Sequence, residues 1–226
     1  MPLIRIIQAQ GGAKVGIWHI TEPETFFREN LPEAGAGMDL ESAVHHPHKR
    51  LQHLAARYLL VELEPALPIE MIRIAASRKP YIPGNHYHFS LAHCGDYATA
   101  IVSAGYPVGI DVEKITPKIT RVAHKFLHPA ELAFIDPACS MEHLTLCWSA
   151  KEAVYKWYGE GGVDFKEHIR LQPFVLYPRK GEIRCHFGKG QVSADLQLHY
   201  LLGKDHDVTW LVDTAWCRRE SGPPLP

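Results

Sequence analysis

The sequence contains 226 residues, of which 46% are hydrophobic and 22% are charged. These proportions are typical of a globular protein and exclude both a disordered chain and a fibrous repeat. The 24 basic and 25 acidic side chains give a formal net charge of −1. A nucleic-acid-binding protein usually carries a clear basic excess, so we expect no nucleic acid among the partners.

The first part of the chain predicts five strands and two helices. The strands are runs of apolar and β-branched residues between turn-forming residues, and the helices show apolar residues at helical spacing. The predicted strands cover residues 3–8, 14–20, 72–76, 86–93 and 97–104. The predicted helices cover residues 25–31 and 47–62. The dipeptide Gly95-Asp96 between the last two strands is typical of a hairpin turn.

The second part of the chain predicts five more strands and two more helices. The predicted strands cover residues 108–113, 171–177, 182–187, 192–201 and 208–215. The predicted helices cover residues 120–134, with a break near Pro129, and 142–158. Helices and antiparallel hairpins are interspersed rather than alternating as βαβ units, so we predict an α+β fold. The turn at Pro107 suggests a boundary between 1–106 and 107–219, and the proline-rich end at 220–226 is predicted to fray.

Neither the cysteines nor the apolar segments indicate a secreted or membrane protein. The five cysteines are an odd number, and no two are spaced as C-x-x-C, which favours reduced thiols over a disulfide framework. No window approaches the roughly 20 apolar residues of a membrane helix. The first residues contain no apolar stretch long enough for a signal peptide. We therefore expect a cytoplasmic protein without membrane contact.

The segment 109–113, Gly-Ile-Asp-Val-Glu, is predicted to place two carboxylates on one face of a strand. Side chains alternate along a strand, so Ile110 and Val112 point to a core while Asp111 and Glu113 point to the other face, roughly 7 Å apart. Like charges at that distance repel unless a cation lies between them, and Mg²⁺ suits such oxygen ligands. A solvated face of an edge strand fits this segment equally well.

A second segment, 148–156, places a carboxylate and two lysines on a predicted helix. Glu152 lies opposite the middle of the apolar face, Lys156 follows one turn later, and Lys151 lies further round the helix. A carboxylate beside lysines suits a metal ligand or a proton acceptor next to bound phosphate. For this segment alone, an exposed helix face with one glutamate–lysine pair is the simpler interpretation.

A third region offers two weaker candidates for phosphate contacts. Lys79 precedes Pro80 in an extended loop, and His93 ends a predicted strand. Each is weak when taken separately, because a lone histidine is more often structural. The histidines at 45–48 and 86–88 lack a cysteine or acidic partner at zinc-binding spacing, so we do not expect zinc.

Taken in order, the three regions resemble the motifs of the 4′-phosphopantetheinyl transferase superfamily. The resemblance is to its longer, pseudo-dimeric, surfactin-synthetase-activating type, and 109–113 and 148–156 match at every defined position. It implies a monomer with two similar α+β halves, each an antiparallel sheet with a long helix, and an active site between them. The chain departs from the pattern in three places, which are Arg78 for glycine, Ala92 for serine, and Cys94 after the motif histidine.

The family transfers 4′-phosphopantetheine from coenzyme A to a serine of an acyl or peptidyl carrier protein and releases adenosine 3′,5′-bisphosphate. The resemblance implies Mg²⁺ held by Asp111, Glu113 and Glu152, with Glu152 as the proton acceptor and Glu113 as the alternative base. Lys156 and Lys151 are expected beside the reacting phosphates. In the N-terminal half, contacts to coenzyme A are expected from Arg57, Lys79, Pro80 and His93. Glu131 resembles a further acidic position of the family.

A group of basic residues after the metal-binding strand is a candidate docking surface. Lys118, Arg121, His124 and Lys125 fall on roughly one side of a helix, and the resemblance implies an acidic carrier protein near them. An ordinary solvated helix face fits these residues equally well. Two other functions stay open, namely a Mg²⁺-dependent hydrolase of a nucleotide pyrophosphate and a non-catalytic module that binds coenzyme A or a carrier protein.

Overall fold

Two antiparallel sheets, each packed against one long helix, dominate the computed structural model, which describes residues 3–32, 46–84 and 87–216. The strands are β1 (Leu3–Gln8), β2 (Lys14–His19), β3 (Arg73–Ile74), β4 (Pro80–Tyr81), β5 (Tyr87–Cys94), β6 (Tyr97–Ala104), β7 (Val108–Lys114), β8 (Ile169–Leu171), β9 (Lys180–Lys189), β10 (Val192–Leu202) and β11 (His206–Val212). The helices are α1 (Glu24–Asn30), α2 (Pro47–Leu63), α3 (Lys118–Phe126), α4 (Pro129–Leu132) and α5 (Ser140–Tyr158). None of the helices in these ranges is long and apolar enough to cross a membrane.

The first sheet has the strand order β1-β2-β6-β5 and packs against α2. Apolar residues recur along α2 at helical spacing, and its buried side includes Leu54, Leu59 and Leu63. Gly16 of β2 allows the helix to approach, because a Cβ there would lie 2.7 Å from the Leu59 side chain. The helix ends just before Pro65, which cannot donate a backbone hydrogen bond.

The second sheet has the strand order β7-β11-β10-β9-β8 and packs against α5. Buried and exposed residues alternate along β9 and β10, as expected for a sheet with one solvated face. The helix ends at Gly159, whose φ of 74° is in the left-handed region that favours glycine. All strand pairs within both sheets are antiparallel, which confirms the predicted α+β class.

A shared apolar core lies between the two sheets. Val15 and Ile101 of the first sheet pack in one cluster with Ile110, Val112 and Val208 of the second. Alternation along β7 therefore directs its apolar side chains inward, as predicted. This core fixes the two sheets against each other, and residues from both can contribute to one site. Whether the halves are similar to each other stays a prediction.

The close packing of β7 against α5 depends on a glycine. A Cβ on Gly109 would lie 2.0 Å from the carbonyl oxygen of Ala153, which is far closer than real atoms approach. Any other residue at this position would force the strand and the helix apart. Gly109 therefore sets the distance between the two elements that carry the motifs 109–113 and 148–156.

The structure differs from the predicted elements in the second half of the chain. The predicted helix at 120–134 is two helices, α3 and α4, separated at His128 as the break before Pro129 suggested. The strand predicted at 171–177 is wrong, because β8 ends at Leu171. Pro173 and Pro178 explain the error, since proline cannot donate to a strand ladder. The predicted frayed end at 220–226 lies outside the described residues.

Candidate active site

Strand β7 presents two carboxylates to helix α5. Asp111 is buried and Glu113 is half-buried, on the sheet face opposite the core between the sheets. The helix contributes Trp148, Glu152 and Lys156, which are spaced one turn apart and therefore share a face. The motifs 109–113 and 148–156 thus meet across the contact that Gly109 permits.

Lys156 and Trp148 connect the helix to the carboxylates of β7. The Lys156 Nζ forms an ion pair with the Asp111 Oδ1 at 2.6 Å. The Trp148 Nε1 donates a hydrogen bond to the Glu113 Oε1 at 2.9 Å. Glu152 is half-buried and, within the described residues, makes neither a hydrogen bond nor an ion pair. Its carboxylate is therefore available to a substrate.

Glu113 is held by both of its carboxylate oxygens. In addition to the bond from Trp148, its Oε2 accepts a hydrogen bond from the Cys94 Sγ at 3.5 Å. Burial, together with the nearby Glu113 charge, raises the pKa of the Cys94 thiol to about 11. The thiol is therefore protonated at neutral pH and can donate. Cys94, which departs from the family pattern, fixes a site carboxylate here.

The three carboxylates share an environment that disfavours their negative charge. Burial raises the pKa of Asp111, although Lys156 opposes this effect. Burial and the nearby Asp111 raise the pKa of Glu113. Burial, and then the charge of Asp111, raise the pKa of Glu152 to about 7. A positive charge brought to this face would relieve their mutual repulsion.

The donor chemistry of Asp111, Glu113 and Glu152 fits a divalent cation. These carboxylates make a single ion pair within the described residues, and the buried Asp111 Oδ2 has no hydrogen-bond partner there. Oxygen ligands of this kind are the ones that Mg²⁺ prefers. The side chains do not converge as they stand, because the described residues contain no group of three acidic, histidine or cysteine side chains that could hold a metal ion. Magnesium therefore stays a prediction.

A basic cluster adjoins the carboxylates from the side of the first sheet. The ring of His93, near the end of β5, lies 4.8 Å from the ring of His53 on α2. Lys49, His53 and Arg57 follow one another at four-residue spacing, which places them along one helix face. Burial, the nearby His53 and then Lys156 lower the pKa of His93 to about 4. The end of β5 therefore brings His93 against the basic face of α2.

Lys79 is oriented toward the end of α5 rather than toward His93. Its Nζ donates a hydrogen bond to the carbonyl oxygen of Trp157 at 2.9 Å, and burial lowers its pKa to about 8. Gly159 provides the space, since a Cβ there would lie 2.2 Å from the Lys79 side chain. Lys79, Pro80 and Gly159 line a cavity of about 580 Å³. Arg78 has a φ of 69°, which explains why the family pattern has glycine at this position.

The position of Lys151 does not support its predicted contact with the reacting phosphates. The side chain is completely buried, and its Nζ donates to the Glu131 Oε2 at 2.7 Å and to the carbonyl oxygens of Phe165 and Ile169 at 2.8 Å. All three ammonium hydrogens therefore have partners. Consecutive helix residues are about 100° apart, so Lys151 cannot share the face of Glu152. We assign it a structural role.

Glu131 explains why a lysine is tolerated in this core. One of its oxygens bonds Lys151, and the same oxygen accepts from the backbone N–H of His128 at 2.7 Å. The other oxygen accepts from the backbone N–H of Leu171 at 2.7 Å. The buried pair thus ties α4, α5 and β8 together. The acidic position that resembled the family is structural in this chain.

A second cavity connects the carboxylates to the basic helix α3. Its volume is about 670 Å³, and its lining includes Glu113, Lys118, Lys125, Phe126 and Trp148. The predicted docking residues are all solvent-exposed, namely Lys118, Arg121, His124 and Lys125. Positive charge therefore borders an apolar opening that leads to Glu113.

Two residues of this region lie outside the sequence motifs. His53 carried a signal, since it is four residues from both Lys49 and Arg57, and the spacing alone suggested a basic helix face. Asp207 is fully buried on β11, opposite Glu113. No local pattern marks Asp207, because its relation to the site depends on strand pairing.

Residues 107–211 match a family described as the 4′-phosphopantetheinyl transferase superfamily. Residues 107–211 belong to that superfamily. The matched segment contains 109–113 and 148–156, and the resemblance drawn from these motifs is confirmed. The basic cluster on α2 and β5 lies outside the matched segment.

Three bacterial relatives illustrate the similarity to this superfamily. A 4′-phosphopantetheinyl transferase of Bacillus subtilis is 33% identical over 87 residues, which are 37% of this chain and 38% of that protein. A 4′-phosphopantetheinyl transferase of Bacillus pumilus is 34% identical over 119 residues, 49% of each. Enterobactin synthase component D of Escherichia coli O157:H7 is 34% identical over 114 residues, 48% of this chain and 54% of that protein. The chain spans about half or less of the length of these relatives.

Proposed function

We propose that this protein transfers the 4′-phosphopantetheine group of coenzyme A to a serine hydroxyl of an acyl or peptidyl carrier protein. The serine oxygen attacks the β-phosphate of coenzyme A, and the bond to the α-phosphate side breaks, which releases adenosine 3′,5′-bisphosphate. The geometry of the face between β7 and α5 supports the residue assignments.

One observation carries the proposal, which is the contact between an acidic face and a basic cluster. Lys156 forms an ion pair with Asp111 inside the acidic face, and the Cys94 thiol, next to His93 at the end of β5, donates a hydrogen bond to Glu113. A pyrophosphate needs cations around its oxygens, and phosphoryl transfer depends mainly on such positioning and charge neutralisation. Asp111, Glu113 and Glu152 would hold Mg²⁺, which would neutralise charge on the pyrophosphate.

The structure favours Glu152 over Glu113 as the acceptor of the serine proton. Both oxygens of Glu113 accept hydrogen bonds, from Trp148 and Cys94, which hold its carboxylate in place. Glu152 has no such partner within the described residues, and its pKa of about 7 suits a base at neutral pH. Glu113 then serves to shape the site rather than to move a proton.

The basic cluster is suited to the phosphates of coenzyme A. Lys156 provides a charged hydrogen-bond donor next to the carboxylates, where the leaving side of the pyrophosphate would lie. His93, with a pKa of about 4, is uncharged at neutral pH and can donate one ring N–H to phosphate. Arg57 keeps its charge although it is buried, and it extends the cluster along α2. Lys79 and Pro80 line the neighbouring cavity.

The α3 side of the site is suited to the carrier protein. The exposed Lys118, Arg121 and Lys125 can attract an acidic partner over several ångströms. The adjoining cavity offers apolar side chains close to Glu113, where the attacked group must lie. A carrier protein bound on α3 would therefore present its serine to the acidic face.

Mass spectrometry of an apo carrier protein tests the proposal directly. The purified protein is incubated with coenzyme A, MgCl₂ and several apo carrier proteins in parallel. Transfer adds one phosphopantetheine group to a carrier and releases one adenosine 3′,5′-bisphosphate. Release of the bisphosphate without a carrier would instead identify a pyrophosphate hydrolase. No modification of any carrier, and no release, would indicate a binding module.

Glu152→Gln is the matched variant for this assay. We expect turnover to fall a hundredfold or more, because removal of one preorganised group at a reacting centre typically costs about 3 kcal/mol. Glu142→Gln, near the start of the same helix, serves as the control and should keep wild-type turnover. Turnover of Glu152→Gln close to the wild-type value would refute Glu152 as the base.

A further inference from the structure

The indole ring of Trp148 connects the candidate site to helix α3. Its Nε1 donates a hydrogen bond to the Glu113 Oε1 at 2.9 Å. The centroid of the same ring lies 5.0 Å from that of Phe126, the last residue of α3, and 5.4 Å from that of Phe165. All four residues line the cavity of about 670 Å³ beside α3. One side chain therefore contacts both a predicted metal ligand and the helix that carries the basic residues.

Burial of apolar surface does not by itself account for the bond from Trp148 to Glu113. Trp157 on the same helix and Trp210 on β11 are more deeply buried, and neither ring N–H has a hydrogen-bond partner within the described residues. An indole ring can thus pack in this protein without a partner for its nitrogen. Trp148 is only half-buried, yet its N–H is directed at a carboxylate of the acidic face. The orientation of this ring therefore serves Glu113 as well as the packing.

Phe126 restricts the orientation of the Trp148 ring. The two rings meet edge to face, with an angle of 66° between their planes, which is a favoured arrangement of aromatic pairs. Phe126 is buried, so it cannot turn away without unpacking the end of α3. The direction of the indole N–H therefore depends on how α3 packs against α5.

We propose that Trp148 is a positioning residue for Glu113 and that Phe126 sets the orientation of the Trp148 ring. The inference rests on the proposed cation dependence of the transferase. A hydrogen bond from an outer partner orients a metal ligand, and loss of such a partner typically lowers metal affinity about tenfold to a hundredfold. Helix α3, which carries the predicted docking residues, is thereby connected to the acidic face through side-chain contacts.

Calorimetric titration of MgCl₂ into the metal-free protein, without coenzyme A, tests the role of Trp148. Trp148→Phe keeps an aromatic ring and removes the N–H, and we expect the Mg²⁺ affinity to fall about tenfold or more. Trp157→Phe is the matched control, because it removes an N–H without a described partner from the same helix, and it should keep the wild-type affinity. An unchanged affinity of Trp148→Phe, or equal losses in both variants, would overturn the proposal.

Phe126→Leu tests the connection to α3 and keeps the test decisive if Trp148→Phe does not fold. It retains an apolar side chain but removes the ring that orients Trp148, and we expect the Mg²⁺ affinity to fall about threefold. Phe187→Leu is its control, since the buried Phe187 meets the Trp157 ring edge to face with centroids 5.5 Å apart. Its affinity should equal that of the wild type, and an unchanged affinity of Phe126→Leu would contradict the role of Phe126.

The double variant shows whether Phe126 acts through Trp148. Without the indole N–H, the orientation of the ring no longer affects Glu113, so Phe126→Leu should cause no further loss of affinity in the Trp148→Phe protein. Additive losses would overturn the connection, because residues that act through one another are not additive. A wild-type protein that does not bind Mg²⁺ would overturn the cation dependence together with this inference. Wild-type binding with unchanged variants would overturn this inference alone.

Discussion

Glu152→Gln should stabilise the metal-free protein at alkaline pH but have little effect at acidic pH. Burial, and then the charges of Asp111 and Glu113, raise the pKa of Glu152 from 4.5 to about 7, although Lys156 opposes this effect. The folded protein therefore holds a proton that the unfolded chain has already released between these two values. The free energy of unfolding must fall as the pH rises through that range.

The expected size of the effect follows from the two pKa values. A change from 4.5 to about 7 corresponds to at most about 3 kcal/mol once the pH exceeds the higher value. At pH 5 most of this penalty is absent, because folded Glu152 is protonated. Glutamine resembles the protonated side chain and removes the penalty. We therefore expect the free energy of unfolding of Glu152→Gln to exceed that of the wild type at pH 8. This excess should be about 2 kcal/mol larger at pH 8 than at pH 5.

Urea denaturation at both pH values, with EDTA present, measures this difference. Glu142→Gln serves as the control, since it is a half-buried glutamate near the other end of α5 and should follow the wild-type pH dependence. An equal effect of Glu152→Gln at pH 5 and pH 8 would refute the reasoning. A loss of stability at pH 8 would do so more strongly, because it would mean that the ionised carboxylate has a stabilising partner.

Three further substitutions probe the packing and the charges of the site. Gly109→Ala should lower the free energy of unfolding by at least about 2 kcal/mol in urea denaturation and reduce transfer, because its Cβ would meet the Ala153 carbonyl oxygen. Wild-type stability would contradict this prediction. Lys151→Met should lower the free energy of unfolding by about 3–5 kcal/mol by leaving Glu131 buried without its cation, and a change below 1 kcal/mol would refute the structural role. Lys156→Gln should raise the KM for coenzyme A at least tenfold in the carrier assay, whereas an unchanged KM would exclude a phosphate contact.

Strand alternation and helical spacing predicted a large share of the site. Alternation in 109–113 correctly separated Ile110 and Val112 from the two carboxylates, because only one face of β7 contacts the core between the sheets. Helical spacing placed Glu152 and Lys156 on one face and put Lys151 on another. The sequence could not show that the face of Lys151 is buried, since its partners come from Glu131 and from the backbone near β8.

Contacts between distant segments could not be read from local patterns. The strand predicted at 171–177 was wrong. Its apolar residues favour a strand, but β8 ends at Leu171, before Pro173 and Pro178. Lys79 was expected at a phosphate, yet it bonds the end of α5 because Gly159 leaves space there. These outcomes depend on which segments become neighbours, and no run of a few residues contains that information.

The sequence by itself determined the α+β class, the two motifs and the superfamily of residues 107–211, because strand and helix periodicities are local and the motif residues are adjacent in the chain. The tertiary structure decided which charged groups meet. It paired Lys156 with Asp111, buried Lys151 against Glu131, and placed Asp207 opposite Glu113. Such groups come from separate segments and meet through packing and strand register. Packing and register become defined only when the two sheets close on their shared core.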